Sequence, residues 1–239
     1  MINNPRTDII ARIRHASRGA SADNIKQELA SLGQAPASPL PSGSLAESFL
    51  VKVLRNHGTV DCVGAKSDAA KAVAQYLYDR YRTRKIIAGN DPKLAAMPWR
   101  DGGVLPRFGA AEDGDLASVS YARVGIAETG SIVTWTGKAN PATNNLLVED
   151  HIVLLDIEDL VKNLEQAWQY IEASQSDAGR HRGINFISGP SSTADIDIQL
   201  TMGAHGPRNW HIIVIGNLPP DTLDNARQMA GLNGNYRAV

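Results

Sequence analysis

Three short stretches carry residues whose types and spacing could do chemistry. In ISGPSSTADID (187–197) a Gly–Pro turn follows the strand-like INFI and leads into Ser191, Ser192 and Thr193. If Pro190 takes the first position of a helix, the free amides of that helix N-terminus and the three hydroxyls make a cradle for a carboxylate or phosphate. The same residues would serve equally well as the cap of a short helix. GAHGPR (203–208) follows the short strand IDIQLTM. Brought to the same sheet edge, its Arg208 offers a planar donor fork to an anion and its His205 a proton-transfer group. The third stretch is AETGS (127–131), where Glu128 sits at the tip of an expected hairpin beside Thr129 and Gly130. A carboxylate held there could act as general base or nucleophile, or be a solvated turn charge. His151 and His211 each open an apolar strand and could join His205 around a metal, which needs about three converging ligands. Histidines at strand starts more often bond a backbone carbonyl, so no metal is assigned.

Composition narrows the partners. The 239 residues hold 24 Lys plus Arg against 25 Asp plus Glu, with 43% hydrophobic residues, as in an ordinary globular chain. Nucleic acid selects for clustered positive charge, and only Arg80, Arg82, Arg84 and Lys85 form a run, which reads as the solvated end of a helix. No apolar stretch reaches the ~18 residues of a membrane span, and the N-terminus lacks the apolar core of a signal peptide, so a cytoplasmic location is expected. The one cysteine, Cys62, excludes an internal disulfide, a cysteine-based zinc site and an iron–sulfur cluster within this chain. Redox metal chemistry would have to reside on another chain.

The elements that must position these residues can be read from periodicity. Residues 7–18 place Ile9, Ile10, Ile13 and Ala16 on one stripe, and Ser21 caps a second helix running to Leu32. GQAPASPLPSG (33–43) has the composition of a linker. Ser44 and Glu47 fit a capping box for a helix that ends at Gly58, TVDCV is a strand, and Ser67 is expected to cap the next helix. VGAKSD lacks the first glycine of a phosphate loop and reads as a strand-to-helix turn. KIIAG is again a strand, and the βαβ alternation implies parallel pairing. SVSYARVGIAETGSIVTWT (118–136) folds into two β-rich halves around Glu128–Thr129–Gly130, an antiparallel pair that makes the sheet mixed. HIVLLD (151–156) and HIIVIG (211–216) are central strands covered on both faces, with IEDLVKNLEQAWQYIEA (157–173) an amphipathic helix between them. The tail from Asn217 reads as polar and loop-like with one helical piece. Domain organisation is therefore an N-terminal helical arm and Pro/Ser-rich linker (1–43), an α/β domain (44–216) and a C-terminal tail (217–239).

Taken in order, AETGS, HIVLL (151–155), ISGPSSTADID and GAHGPR with WHIIVI resemble the LUD-domain family of the lactate utilisation protein C type, most closely from about residue 118 to 216. The resemblance implies a fold similar to the NagB/RpiA/CoA-transferase superfamily, a three-layer α/β/α sandwich with a mixed sheet. It implies a part in oxidising L-lactate to pyruvate as one subunit of a three-protein system, with the iron–sulfur clusters on partner chains and none in this one. By motif, the matching positions are Glu128, Thr129, Gly130, Ser188, Gly189, Pro190, Ser191, Thr193, Ala194, Asp195, His205, Gly206, Pro207 and Arg208. Ser192 stands where the family often has an arginine, and Lys138 is the nearby cation in a segment, GKANPATNNLLVED, that departs from the family pattern. Three functions stay open. One is a non-redox subunit binding a small carboxylate or a partner at the 188–193 and 203–208 turns. Another is a CoA-transferase-like enzyme in which Glu128 attacks an acyl donor. The last is an assembly module without small ligand.

Overall fold

The computed structural model describes residues 5–16, 19, 21–33, 39–40, 43–174, 182–196 and 199–232. Most of the expected linker at 33–43 lies outside these residues, as does the end of the chain from 233. The chain divides into two compact units, 1–37 and 38–239. The first holds α1 (Pro5–Ala16) and α2 (Ala22–Ser31), the latter capped by Ser21, whose hydroxyl accepts from Asn24 N at 3.1 Å. Neither helix has a buried residue, so the apolar stripes bearing Ile9, Ile13, Ile25 and Leu29 face solvent.

The second unit opens with α3 (Leu45–Arg55), started by the expected capping box: Ser44 Oγ accepts from Glu47 N at 3.1 Å, and the Glu47 carboxylate accepts from Ser44 N at 2.7 Å. β1 (Thr59–Val63) leads to α4 (Lys66–Tyr81). Here the extended residue is Ala65, whose carbonyl accepts from Asp68 and Ala69, so Ser67 lies inside the first turn and is not the cap. There follow β2 (Lys85–Ala88), the one-turn helices α5 (Pro92–Ala95) and α6 (Trp99–Gly102), β3 (Leu105–Phe108) and β4 (Ala117–Tyr121). β5 (Val124–Ile126) and β6 (Ser131–Thr136) form the AETGS hairpin, and α7 (Thr143–Leu146) precedes β7 (Asp150–Asp156). The segment expected to be one long helix instead makes a 3-10 turn at Ile157–Asp159 and the short β8 (Leu160–Val161) before α8 (Leu164–Ala173) begins at its Asn163 cap. β9 (Gly183–Ile187), β10 (Ser192–Ile196), β11 (Gln199–Met202), β12 (Asn209–Ile215) and α9 (Thr222–Ala230) complete the unit.

The central sheet runs β1-β12-β7-β4-β2-β3, and every pairing in it is parallel. β7 and β12 lie side by side within it and are buried at almost every position because both faces are covered. Ile152, Leu154 and Ile213 face Val73 and Leu77 of α4, whereas Val153, Leu155, Ile212 and Val214 face Phe49 and Val53 of α3. The antiparallel hairpin does not enter this sheet. It belongs to a second, mixed sheet, β8-β5-β6-β9, whose outer face is closed by Ala167 and Ile171 of α8. The architecture is thus α/β with a parallel central sheet between helical layers, extended on the α3 side by a small sheet. The tail contributes to the core, since α9 packs on α3 with Ala226 fully buried. Among the described residues no helix is long and apolar enough to cross a membrane.

Candidate functional site

The two glycine-rich turns do meet, but not as a helix N-terminus. Ser192–Ile196 is extended and pairs with β11, with Ser192 opposite Met202 and Thr193 opposite Thr201, so the expected short helix is absent. Thr193, Ala194, Asp195 and Ile196 are taken into a hairpin whose partner strand the local sequence alone does not reveal. Ser191 fastens the turns together. Its N–H donates to Pro207 O at 2.8 Å, its carbonyl accepts from Gly203 N at 2.8 Å, and its hydroxyl accepts from His205 N at 3.4 Å. The Ser191 amide expected to face an anion is therefore already bonded within the pair of turns, as are those of Gly203 and His205. What faces solvent is His205, which is exposed, and Arg208, whose side chain is 62% exposed and 3.4 Å from Glu149. Gly206 lies against Ser191, where an added Cβ would stand 3.1 Å from the serine Cβ.

Ser188 and Gly189 join this feature to the AETGS hairpin on a common seat, the C-terminal end of α3. The Ser131 and Ser188 hydroxyls share a short hydrogen bond, and Thr129 Oγ1 is 2.7 Å from Ser131 Oγ. Asn56, which ends α3, donates from Nδ2 to Thr129 O at 2.8 Å. Gly189 has φ +115° and a Cβ there would lie 2.4 Å from Asn56 O, while Gly130 has φ +68° and a Cβ would meet Val53 N at 2.6 Å. Both positions need glycine for conformation and for close approach. Asn56 and Ser131 escape sequence reading because their partners lie 73 and 57 positions away. Glu128, at the hairpin tip, accepts from Leu164 N at 3.2 Å, and its own N–H donates to Lys162 O at 3.0 Å. Its carboxylate thus sits at the first turn of α8, where the helix dipole favours negative charge.

The carboxyl ends of the parallel strands, where open α/β sheets commonly hold ligands, carry a cluster that the sequence does not announce. Tyr121 at the end of β4 donates to Asp156 at 2.7 Å, and Lys93 bridges Asp156 at 3.1 Å and Asp159 at 3.0 Å, with its Nζ 4.7 Å above the Tyr121 ring. Arg123 pairs with Asp91, which is 4% exposed. Burial works to lower the Lys93 pKa, but the bonds to Asp159 and Asp156 outweigh it and hold the ammonium above the usual lysine range. Burial, and then the hydrogen bond to Asp156, push the Tyr121 phenol up. Each charge has a partner here, with three carboxylates held by two cations.

The histidines divide among separate places. His151 is 1% exposed and its Nε2 lies 2.9 Å from Ser120 Oγ, while burial pushes its pKa down to about 4 and keeps it neutral. From Ser120 the bonds run through Asn145 to Thr134 of the second sheet, at 3.0 and 3.3 Å. The unusual GKANPATNN segment thus ties the two sheets together, with Asn144 accepting from Ala111 N at 2.7 Å and donating to Gly109 O at 2.9 Å. Lys138 is exposed. His211 bonds Thr59 on β1, so both strand-start histidines find side-chain hydroxyls where backbone carbonyls were expected.

A family model described as the LUD domain matches residues 115–215, the span that holds both turns, the hairpin and the two central strands. The chain is 30% identical over 185 residues to lactate utilization protein C of an Exiguobacterium species, covering 73% of this chain and 79% of that one. This chain belongs to the LUD-domain family. The LUD-domain chain is also 27% identical to lactate utilization protein C of Macrococcus caseolyticus, with 72% and 80% of the two chains covered. Its fold is shared with a DUF162 family protein from Deinococcus radiodurans of known crystal structure, at a TM-score of 0.54 and 22% identity, over 74% of this chain and all of that one.

Proposed function

We propose that this LUD-domain chain is a cytoplasmic, non-redox subunit of an L-lactate utilisation system. In this reading electron transfer occurs on iron–sulfur partner proteins, and the present chain offers them the surface built from the 188–193 and 203–208 turns. The observation that carries it is the similarity to chains named lactate utilization protein C over about four fifths of their length. The single cysteine fits a subunit without its own cluster. The internal bonding of Ser191, Gly203 and His205 supports a rigid docking surface over an amide-lined carboxylate cradle, because the amides are occupied while Arg208 and His205 project outward.

The two ligand classes separate in one experiment. Tagged full-length chain is purified from cells expressing the iron–sulfur partners, as wild type and as Arg208→Ala, and each is titrated with L-lactate in a calorimeter. Docking predicts co-purification that falls severalfold in the variant, with no lactate heat in either. Lactate binding that Arg208→Ala weakens tenfold or more would instead make the turns a carboxylate site, and partner capture unchanged by Arg208→Ala would overturn the assignment of the surface.

A further inference from the structure

β1 is an edge strand, and its open flank is walled by α4 and α9 into a groove of about 630 Å3. Thr59 and Asp61 lie two apart on β1 and so share one face, and Thr59 is in register with His211 on β12. Three side chains therefore stand together by construction. Thr59 Oγ1 is 2.8 Å from His211 Nδ1, and Asp61 Oδ2 is 3.5 Å from His211 Nε2. The imidazole is only 4% exposed and is held from above by Tyr76, stacked at 4.5 Å between ring centroids. Its Nε2 has no hydrogen-bond partner among the described residues. A buried nitrogen left without a partner is costly, and a small rotation of the half-exposed Asp61 carboxylate would supply one. The neighbouring His211 holds that carboxyl below its usual range, against burial. Arg82 and Arg227 line the same groove together with Asp79; Arg227 also pairs with Asp224 at 3.1 Å, and Arg80 is engaged by Asp150 at 2.7 Å.

We propose that Thr59, His211 and Asp61 form a hydroxyl–base–carboxylate relay, and that the groove takes short carboxylic esters or thioesters bearing a negative charge. The arrangement has the three parts of an activated nucleophile: a hydroxyl within reach of a base, and a carboxylate 3.5 Å from the base's other nitrogen, where a small rotation lets it orient the ring. Thr59 Oγ1 attacks the acyl carbon and its proton passes to His211 Nδ1, while Asp61 steadies the imidazolium through Nε2–H. Collapse breaks the bond from acyl carbon to leaving group, which departs with the proton from Nδ1. Water then attacks the acyl-threonine, His211 removing and returning a proton, to free the acid and Thr59. Arg82 and Arg227 select for the anionic group.

The test uses the full-length chain with p-nitrophenyl acetate and mono-p-nitrophenyl succinate, reading nitrophenolate release and acyl-peptide mass. The expected result is turnover of both esters with the succinate preferred, and an acyl adduct on the peptide holding Thr59. Thr59→Val should lower turnover about 100-fold or more and remove the adduct, whereas Thr59→Ser retains both. Asp61→Asn, a change of the same size at a half-exposed position, should reduce kcat at least about tenfold. Absence of turnover above the buffer rate, or an adduct and rate that persist in Thr59→Val, would overturn the proposal. If Thr59→Val does not fold, an unchanged kcat in Asp61→Asn overturns it equally. The site is independent of the lactate reading, and neither result decides the other.

Discussion

Gly130 and Gly189 fix the AETGS hairpin and the 188–193 turn onto α3, and each combines a positive φ with a backbone contact too close for any side chain. Gly189→Ala should therefore cost roughly 2–4 kcal/mol and lower Tm by about 5–10 °C in a thermal melt. Gly114→Ala, at φ +87° with nothing within 4 Å, carries the backbone penalty alone, about 1 kcal/mol. Equal losses at the two sites would contradict the packing argument. His151 makes a second prediction. Its folded pKa, about 4, lies below the ordinary 6.5 because burial disfavours the charged form. Below pH 6.5 the unfolded chain takes up a proton that the folded chain refuses, so stability present above 6.5 is lost as pH falls toward 4, by about 3 kcal/mol in total. Urea unfolding of His151→Asn across that window should lack this slope. At this scale the sequence names the glycines, Ser191 and Arg208 as belonging together. It does not reveal that the Ser191 amide is taken by Pro207 of the other turn, because that partner lies outside the local sequence.

Capping decides which helices are legible. α2 and α3 announce themselves through Ser21, Ser44 and Glu47, whose bonds are local. α4 starts from Ala65 without any side-chain cap, so Ser67 attracts the assignment in its place. β10 is misread for a different reason: hydroxyl and acidic residues after a Gly–Pro turn suit a helix start, and only the pairing of Ser192 and Thr193 with Met202 and Thr201 settles the backbone as strand. α9 is underrated because its polar face dominates its composition, yet it rests on α3 with Ala226 buried, and Arg55 donates to Met229 O at 2.8 Å. A chain ending after Asn217 should lose on the order of 10 °C in Tm as the α3 face opens to water. A melt unchanged by that truncation would show that α9 adds nothing to the core.

Across the whole molecule, polar residues far apart in sequence are gathered by strand order. Asp150, fully buried at the start of β7, meets Arg80 of α4 at 2.7 Å and Asn209 of β12 at 2.5 Å. Burial, followed by the nearby Asp150 charge, also pushes Tyr81 up to about 12. Arg80→Met would strand that carboxylate and should cost about 3 kcal/mol, read as a lower urea midpoint with unchanged m. No periodicity shows that β1 lies beside β12 or β4 beside β7, so the carboxyl-end cluster and the Thr59–His211–Asp61 array were invisible before the sheet was known, although the α/β class and both central strands were plain. The function reading rests on this assembled chain serving lactate utilisation through its joined turns. Its most direct test is growth on L-lactate as sole carbon source of a strain lacking this chain, complemented with wild type or with Ser191→Ala/Arg208→Ala. The deletion is expected to stop growth on L-lactate but not on glucose, wild type to restore it, and the double variant to restore it poorly. Undiminished growth of the deletion strain on L-lactate, in the absence of a second copy, would contradict the function reading.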